Sequence, residues 1–127
     1  MDLKKSLGIW LDYAKANIID VQDTTNTPHT IHSKFTSQVK KEVLQKSERG
    51  MHDKEEKMHK AYFNELMDVV KNYESVLLFG PTKAKQELHN LMTEIPAMHT
   101  IKVAVLPAEE MTYNQKLAFV RKHFLLF

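Results

Sequence analysis

The sequence predicts an α/β fold on a mixed sheet, and three observations carry that prediction. The first third alternates short β-type stretches with turn residues, whereas the remainder alternates amphipathic stretches with two short apolar runs, SVLLFG and TIKVAVLPA. SVLLFG is apolar throughout, the pattern of a strand buried on both faces. The 127 residues, 43% apolar and 27% charged, match one ordinary globular domain with a single core.

Taken in order, LGIWLDY places Ile9 and Leu11 on one face of a strand, with Gly8, Trp10 and Asp12 on the other. ANIIDV follows a short turn at Ala14-Lys15 and completes a hairpin. Residues 23–28, DTTNTP, form a loop of turn-favouring residues. HTIHSKF alternates as a third strand solvated on one side, with Ile31, Ser33 and Phe35 facing one way and His32 and Lys34 the other. Between residues 37 and 60 the chain is highly charged, and Gly50 argues against an uninterrupted helix there. A helix is expected from Asp53, which caps it in a capping box with Glu56. The pairs Asp53–Lys57 and Glu56–Lys60 support it, and Met58, Tyr62, Leu66, Val69 and Tyr73 form its apolar stripe.

After SVLLFG, Gly80-Pro81 ends the strand and Pro81 opens a helix reaching about Glu94, with Ala84, Leu88, Leu91 and Met92 inward. TIKVAVLPA is the fifth strand. Thr112 and Gln115 make a capping box for a last helix that buries Leu117, Val120 and Phe124. The order is βββαβαβα: three antiparallel strands, then two αβ crossovers. That is the order of ribonuclease-H-like mixed sheets, here as one domain over residues 1–127.

Composition excludes more than it assigns. With no cysteine there is no disulfide, thiolate nucleophile or cysteine-bound metal, which fits a cytoplasmic location. MDLKKSLGIWLDY is broken by Asp12 and does not read as a signal peptide, and no apolar run approaches the ~20 residues of a membrane helix. A net charge of +2 and a pI near 8.7 fall below the level at which charge alone argues for nucleic acid.

The most suggestive site is the turn VLLFGPTKAKQEL, a helix start just beyond a buried strand. Stability alone favours acids at a helix N-terminus, yet Lys83 and Lys85 stand there, at a cost of roughly a few tenths of a kcal/mol each. With Thr82 they would suit a phosphate; equally, both lysines could simply be solvated. Residues 40–60 carry seven Lys/Arg against five acids, a solvated face or an RNA-touching loop in which Lys46, Arg49 and Lys54 are the candidate contacts. Asp12 sits where ribonuclease-H-type nucleases keep a metal-binding aspartate, but the fourth strand ends Phe79-Gly80-Pro81 without a second carboxylate. Shaping the hairpin turn is the better reading of Asp12. His29 and His32 fall on opposite faces of a strand, Glu55 and His59 lie on a solvated helix face, and no zinc-binding box occurs. Ser6, Ser33, Ser37, Ser47 and Ser75 lack the setting of a nucleophile, and there is no glycine-rich phosphate loop. The expectation is therefore no catalytic residue, no metal and no cofactor. The apolar terminus Phe124-Leu125-Leu126-Phe127 packs on the sheet or serves a homodimer.

GIWLDYAKANIIDV, FGPTKAKQEL and MTYNQKLAFVRKHF together resemble bacterial relatives of the middle domain of the archaeal and eukaryotic peptide-release factor, a domain shared by Pelota-type ribosome-rescue proteins. The resemblance spans nearly the whole chain in order, with FGPTKAKQEL its most specific piece. It implies a ribonuclease-H-like fold and work near the ribosome or tRNA. In that family a Gly-Gly-Gln loop before the long first helix drives peptidyl-tRNA hydrolysis. The matching stretch here, Lys46-Ser47-Glu48-Arg49-Gly50-Met51-His52, has one glycine and no glutamine, and the chain's three glycines, Gly8, Gly50 and Gly80, are all isolated. The family's flanking domains for codon reading and partner factors have no counterpart in these 127 residues. The leading expectation is a non-catalytic ribosome- or tRNA-associated module using Thr82, Lys83, Lys85, Lys46, Arg49 and Lys54. A homodimerising interaction domain is the second, and an RNA or ester hydrolase the third.

Overall fold

A computed structural model describes residues 5–23, 28–33 and 48–125, with 48–58 as backbone alone. Strands β1 (Ser6–Leu11), β2 (Lys15–Asp20), β3 (His29–His32), β4 (Ser75–Gly80) and β5 (Lys102–Pro107) form one sheet in the order β3-β2-β1-β4-β5. β4 is parallel to both β1 and β5, while β2 is antiparallel to β1 and β3. Helices α1 (Glu48–Val70), α2 (Ala84–Thr93) and α3 (Tyr113–His123), with a 3-10 turn at Pro96–Met98, complete the order βββαβαβα. This is the ribonuclease-H-like topology expected from the strand pattern.

Central β1 is buried along its whole length, which is why its sequence is almost free of charge. The pleat divides its neighbours between two cores. Ile9 lies between Ile18 of β2 and Leu78 of β4, whereas Trp10 lies between Asn17 and Phe79. On the first face, Leu7, Ile9, Leu11, Val76 and Leu78 pack against α1 and α2. On the second, Trp10, Ile19, Leu77 and Phe79 pack against Leu117 and Val120 of α3. Gly8 permits that second contact, because a Cβ there would overlap the Val120 side chain. Phe79 and Phe119 stack at 4.7 Å between centroids and 7° between planes, fixing α3 over β4.

Several sequence expectations are corrected. Gly50 does not break α1, which begins at Glu48, so Asp53 is inside the helix and not its cap. A glycine in a helix interior costs about 1 kcal/mol, which a 23-residue helix anchored by a broad apolar face tolerates. That face is wider than one stripe: Phe63, Met67 and Val70 are buried beside Tyr62 and Leu66. Pro81 does not open α2, whose first helical residue is Ala84. β3 stops at His32; Lys34 and Phe35, like the Met58 side chain and the Asp53–Lys57 and Glu56–Lys60 pairs, lie outside the described residues and side chains. The box at Thr112 is formed, with Gln115 N–H donating to Thr112 Oγ1 at 3.2 Å and Thr112 N–H to Gln115 Oε1 at 2.9 Å.

Candidate functional site

The three parallel strands end together on one edge of the sheet. Beyond β4 the chain turns to α2 on the first face, and beyond β5 it turns to α3 on the second. Such a reversal opens a crevice at the carboxyl ends of the strands, where open α/β sheets bind ligands. Its floor is tight. Ala108 N–H donates to Gly80 C=O at 3.0 Å, and Gly80, at φ +155°, lies so close to the Leu11 carbonyl that no Cβ fits.

Just past the carboxyl end of β1, Asp12 is consumed by the hairpin. Its Oδ1 accepts the N–H groups of Ala14 and Lys15, both at 2.8 Å. That geometry leaves Asp12 a turn residue and not a free carboxylate. Tyr13 follows, its ring stacked on His59 at 5.2 Å; burial and then the facing Glu87 carboxylate push its hydroxyl up to about 12. Tyr62 donates from its hydroxyl to the Asp12 carbonyl at 3.0 Å, and its ionisation is pushed upward by burial first and the Asp12 charge second.

These contacts also orient α1. His59 lies beside the carboxyl end of β1, while Tyr73, just past the other end of α1, donates to Asp20 Oδ2 at the opposite edge. The helix therefore runs antiparallel to β1, and the 11 residues 48–58 extend it about 16 Å beyond His59 at 1.5 Å per residue. Arg49 and Lys54 belong to those projecting turns of helix, about three in all, but their side chains, and all of Lys46, lie outside what is described.

Thr82, Lys83 and Lys85 do come together at the start of α2. Thr82 Oγ1 accepts from Ala84 N–H at 3.2 Å. Lys83 is the N-cap residue, in helical conformation with no side-chain cap bond, and its side chain is exposed. Lys85 folds back, its Nζ donating to the Thr82 carbonyl at 2.5 Å. Of the two lysines, Lys83 is the one displayed to solvent.

On the second face of the same edge is a cluster the sequence reading missed. Lys116, in the first turns of α3, is buried with a side chain only 5% exposed. Its ammonium donates to Asn17 Oδ1 at 2.7 Å, meets Glu110 Oε1 at 2.8 Å and lies 3.8 Å from the centroid of the Trp10 ring. Asn17 is itself fixed by donation to Thr30 Oγ1 at 3.0 Å, and the Trp10 indole N–H points to the Glu109 carbonyl at 3.4 Å. Lys15 reaches the other oxygen of Glu110 at 3.5 Å. The Glu110 carboxyl is held below its ordinary range, chiefly by the Lys116 hydrogen bond. A sequence signal existed: Tyr113, Lys116, Leu117, Val120 and Phe124 share one helical face, and a lysine on an apolar stripe needs a buried partner.

Among the described residues no three His, Asp or Glu side chains gather as a metal site, and no helix is long and apolar enough to cross a membrane. Phe124 packs against the second core, whereas Leu125 is 68% exposed; Leu126 and Phe127 lie outside the described residues.

No protein-family model and no curated protein matches the sequence. Among solved structures, the Thermoplasma acidophilum Pelota protein shares the fold, with a TM-score of 0.55 and 15% identity over 98% of this chain. The chain spans about a third of that protein, 32% of its length. At this identity the likeness is one of fold.

Proposed function

We propose that this chain is a ribosome- or tRNA-associated module, distantly related to peptide-release and ribosome-rescue proteins, that acts by binding and not by catalysis. The observation that carries the reading is a Pelota-like fold presenting a cationic helix start, with exposed Lys83, at the carboxyl edge of its sheet. The RNA-facing surface comprises Thr82, Lys83 and Lys85 together with Lys46, Arg49 and Lys54. Such contacts fix a backbone without reading sequence, so binding falls steeply with salt. The absence of a Gly-Gly-Gln stretch separates this role from peptide release.

The test is co-sedimentation with ribosomes from native lysate across a salt series, for wild type, Lys83→Glu and Lys83→Glu/Lys85→Glu. Salt-sensitive association is expected, weakened in the single variant, which leaves the Lys85–Thr82 bond intact, and lost in the double. Unchanged association in both variants rejects this surface, and none at low salt rejects the translation reading. The exposure of Leu125 beside Phe124 favours a second reading, a homodimer through Phe124, Leu125, Leu126 and Phe127. Mass measurement with and without residues 124–127 tests it; a monomer in both forms rejects it.

A further inference from the structure

We propose that Lys116 and Lys15 form an oxyanion cradle that Glu110 plugs from within the chain, and that a phosphate group displaces it. The cradle is distinct from the Lys83 surface and stands independently of the translation reading. Three features separate it from an ordinary structural ion pair.

The first is the asymmetry of the pair. Lys116 is buried to 5%, while the Glu110 side chain is 55% exposed and belongs to the irregular segment between β5 and α3. The cation is fixed by Asn17 and Trp10, whereas its counter-charge is held from the solvent side. Opening the cradle therefore needs only rotation of an exposed side chain, with no core residue displaced. The second is charge. Two ammonium groups, Lys116 at 2.8 Å and Lys15 at 3.5 Å, converge on one carboxylate and leave a surplus positive charge. A phosphate dianion balances two lysines where a carboxylate balances one. The third is place. The cradle sits at the carboxyl edge where α2 and α3 diverge, and Glu110 itself lines a surface groove there with Glu109, Met111, Gln115, Phe119 and Lys122. The ligand class is thus a phosphate group, free or at the end of a polynucleotide.

The chain holds one tryptophan, and its ring lies 3.8 Å from the Lys116 ammonium, so its emission reports a change at that cation. The experiment titrates inorganic phosphate into wild type, Glu110→Ala, Glu110→Gln and Lys15→Ala/Glu110→Ala at neutral pH and constant ionic strength, with circular dichroism confirming the fold. Both Glu110 variants are expected to bind at least tenfold more tightly than wild type. Adding Lys15→Ala should weaken Glu110→Ala at least fivefold. Glu110→Gln preserves the shape of the loop residue if the alanine variant fails to fold. Competition by a 5′-phosphorylated hexauridylate but not by its 5′-hydroxyl twin assigns a polynucleotide end; competition by neither assigns free phosphate. An absent tryptophan response in the Glu110 variants, an affinity equal to wild type, an effect that Lys15→Ala leaves untouched, or an equal response to chloride overturns the proposal.

Discussion

Removing Glu110 should destabilise the fold more than removing Lys116, although Glu110 is the more exposed of the two. Glu110→Ala leaves the Lys116 ammonium buried with one hydrogen-bond acceptor, Asn17 Oδ1, and the Trp10 face. An under-satisfied buried charged donor costs about 1–3 kcal/mol, and fully buried pairs that lose one partner cost about 3–5. Because Glu110 is 55% exposed, solvent already screens part of the pair, and about 1–2 kcal/mol is expected. Lys116→Met has the opposite balance. Glu110 turns into water, the methionine chain packs on Trp10, and the desolvation of a cation is relieved; the main loss is the hydrogen bond to Asn17, so the net change stays within about 1 kcal/mol. The double variant should then be no less stable than Lys116→Met alone, giving a coupling of about 1–2 kcal/mol. Urea unfolding followed by far-ultraviolet circular dichroism measures all three without relying on Trp10, whose surroundings change. If Lys116→Met costs at least 1 kcal/mol more than Glu110→Ala, the cation is a net stabiliser and the reasoning fails.

Gly80→Ala should cost at least about 2 kcal/mol, because φ is +155° and the new Cβ would run into the Leu11 carbonyl; a loss below 1 kcal/mol in urea unfolding would show that β1 and β4 separate easily at this point. Tyr73 is raised from 10.0 to about 12 by burial and by its hydrogen bond to Asp20. Its contribution is therefore complete below pH 10 and lost as pH rises through about 12. Tyr73→Phe should be less stable than wild type at neutral pH and converge with it across that alkaline window; a constant gap across the window would mean that Tyr73 acts through packing alone.

The fold was legible because both sheet periodicities are local. The unbroken SVLLFG and the alternation around Trp10 each follow from two covered faces and can be read a few residues at a time. Helix boundaries were read less well, since tertiary packing overrides local cost. Gly50 is carried inside α1, and Pro81 is left in the turn because Gly80 has already bent away under Leu11. The Thr82, Lys83 and Lys85 grouping was visible because three neighbours share one helix start. The back-folding of Lys85 was not visible, because it depends on where the Thr82 carbonyl points. The Lys116 cluster joins Trp10, Asn17 and Glu110, and Asn17 and Lys116 are 99 residues apart. Only strand order brings them together, so no window of sequence contains the site.

The two edges of the sheet are built for different ends. At the amino end of the parallel strands the backbone is stitched shut: Glu74 N–H donates to the Lys5 carbonyl at 2.9 Å, Lys102 N–H to the Glu74 carbonyl at 3.0 Å, and Tyr73 to Asp20 at 2.8 Å. Each bond ties an element start to a neighbour and uses groups that would otherwise stay unsatisfied. At the carboxyl end the backbone floor is equally closed by Ala108 and Gly80, but the side chains above it are not spent in the same way. Lys83 is uncommitted by any cap bond, and Glu110 and Lys15 meet at 3.5 Å while 55% and 40% exposed. The exposed Lys15–Glu110 pair contributes little to stability; what Glu110 stabilises, it stabilises through Lys116. The gathering of these charges where the loops of residues 12–15, 81–83 and 108–112 follow the strands is what the two proposed binding surfaces have in common.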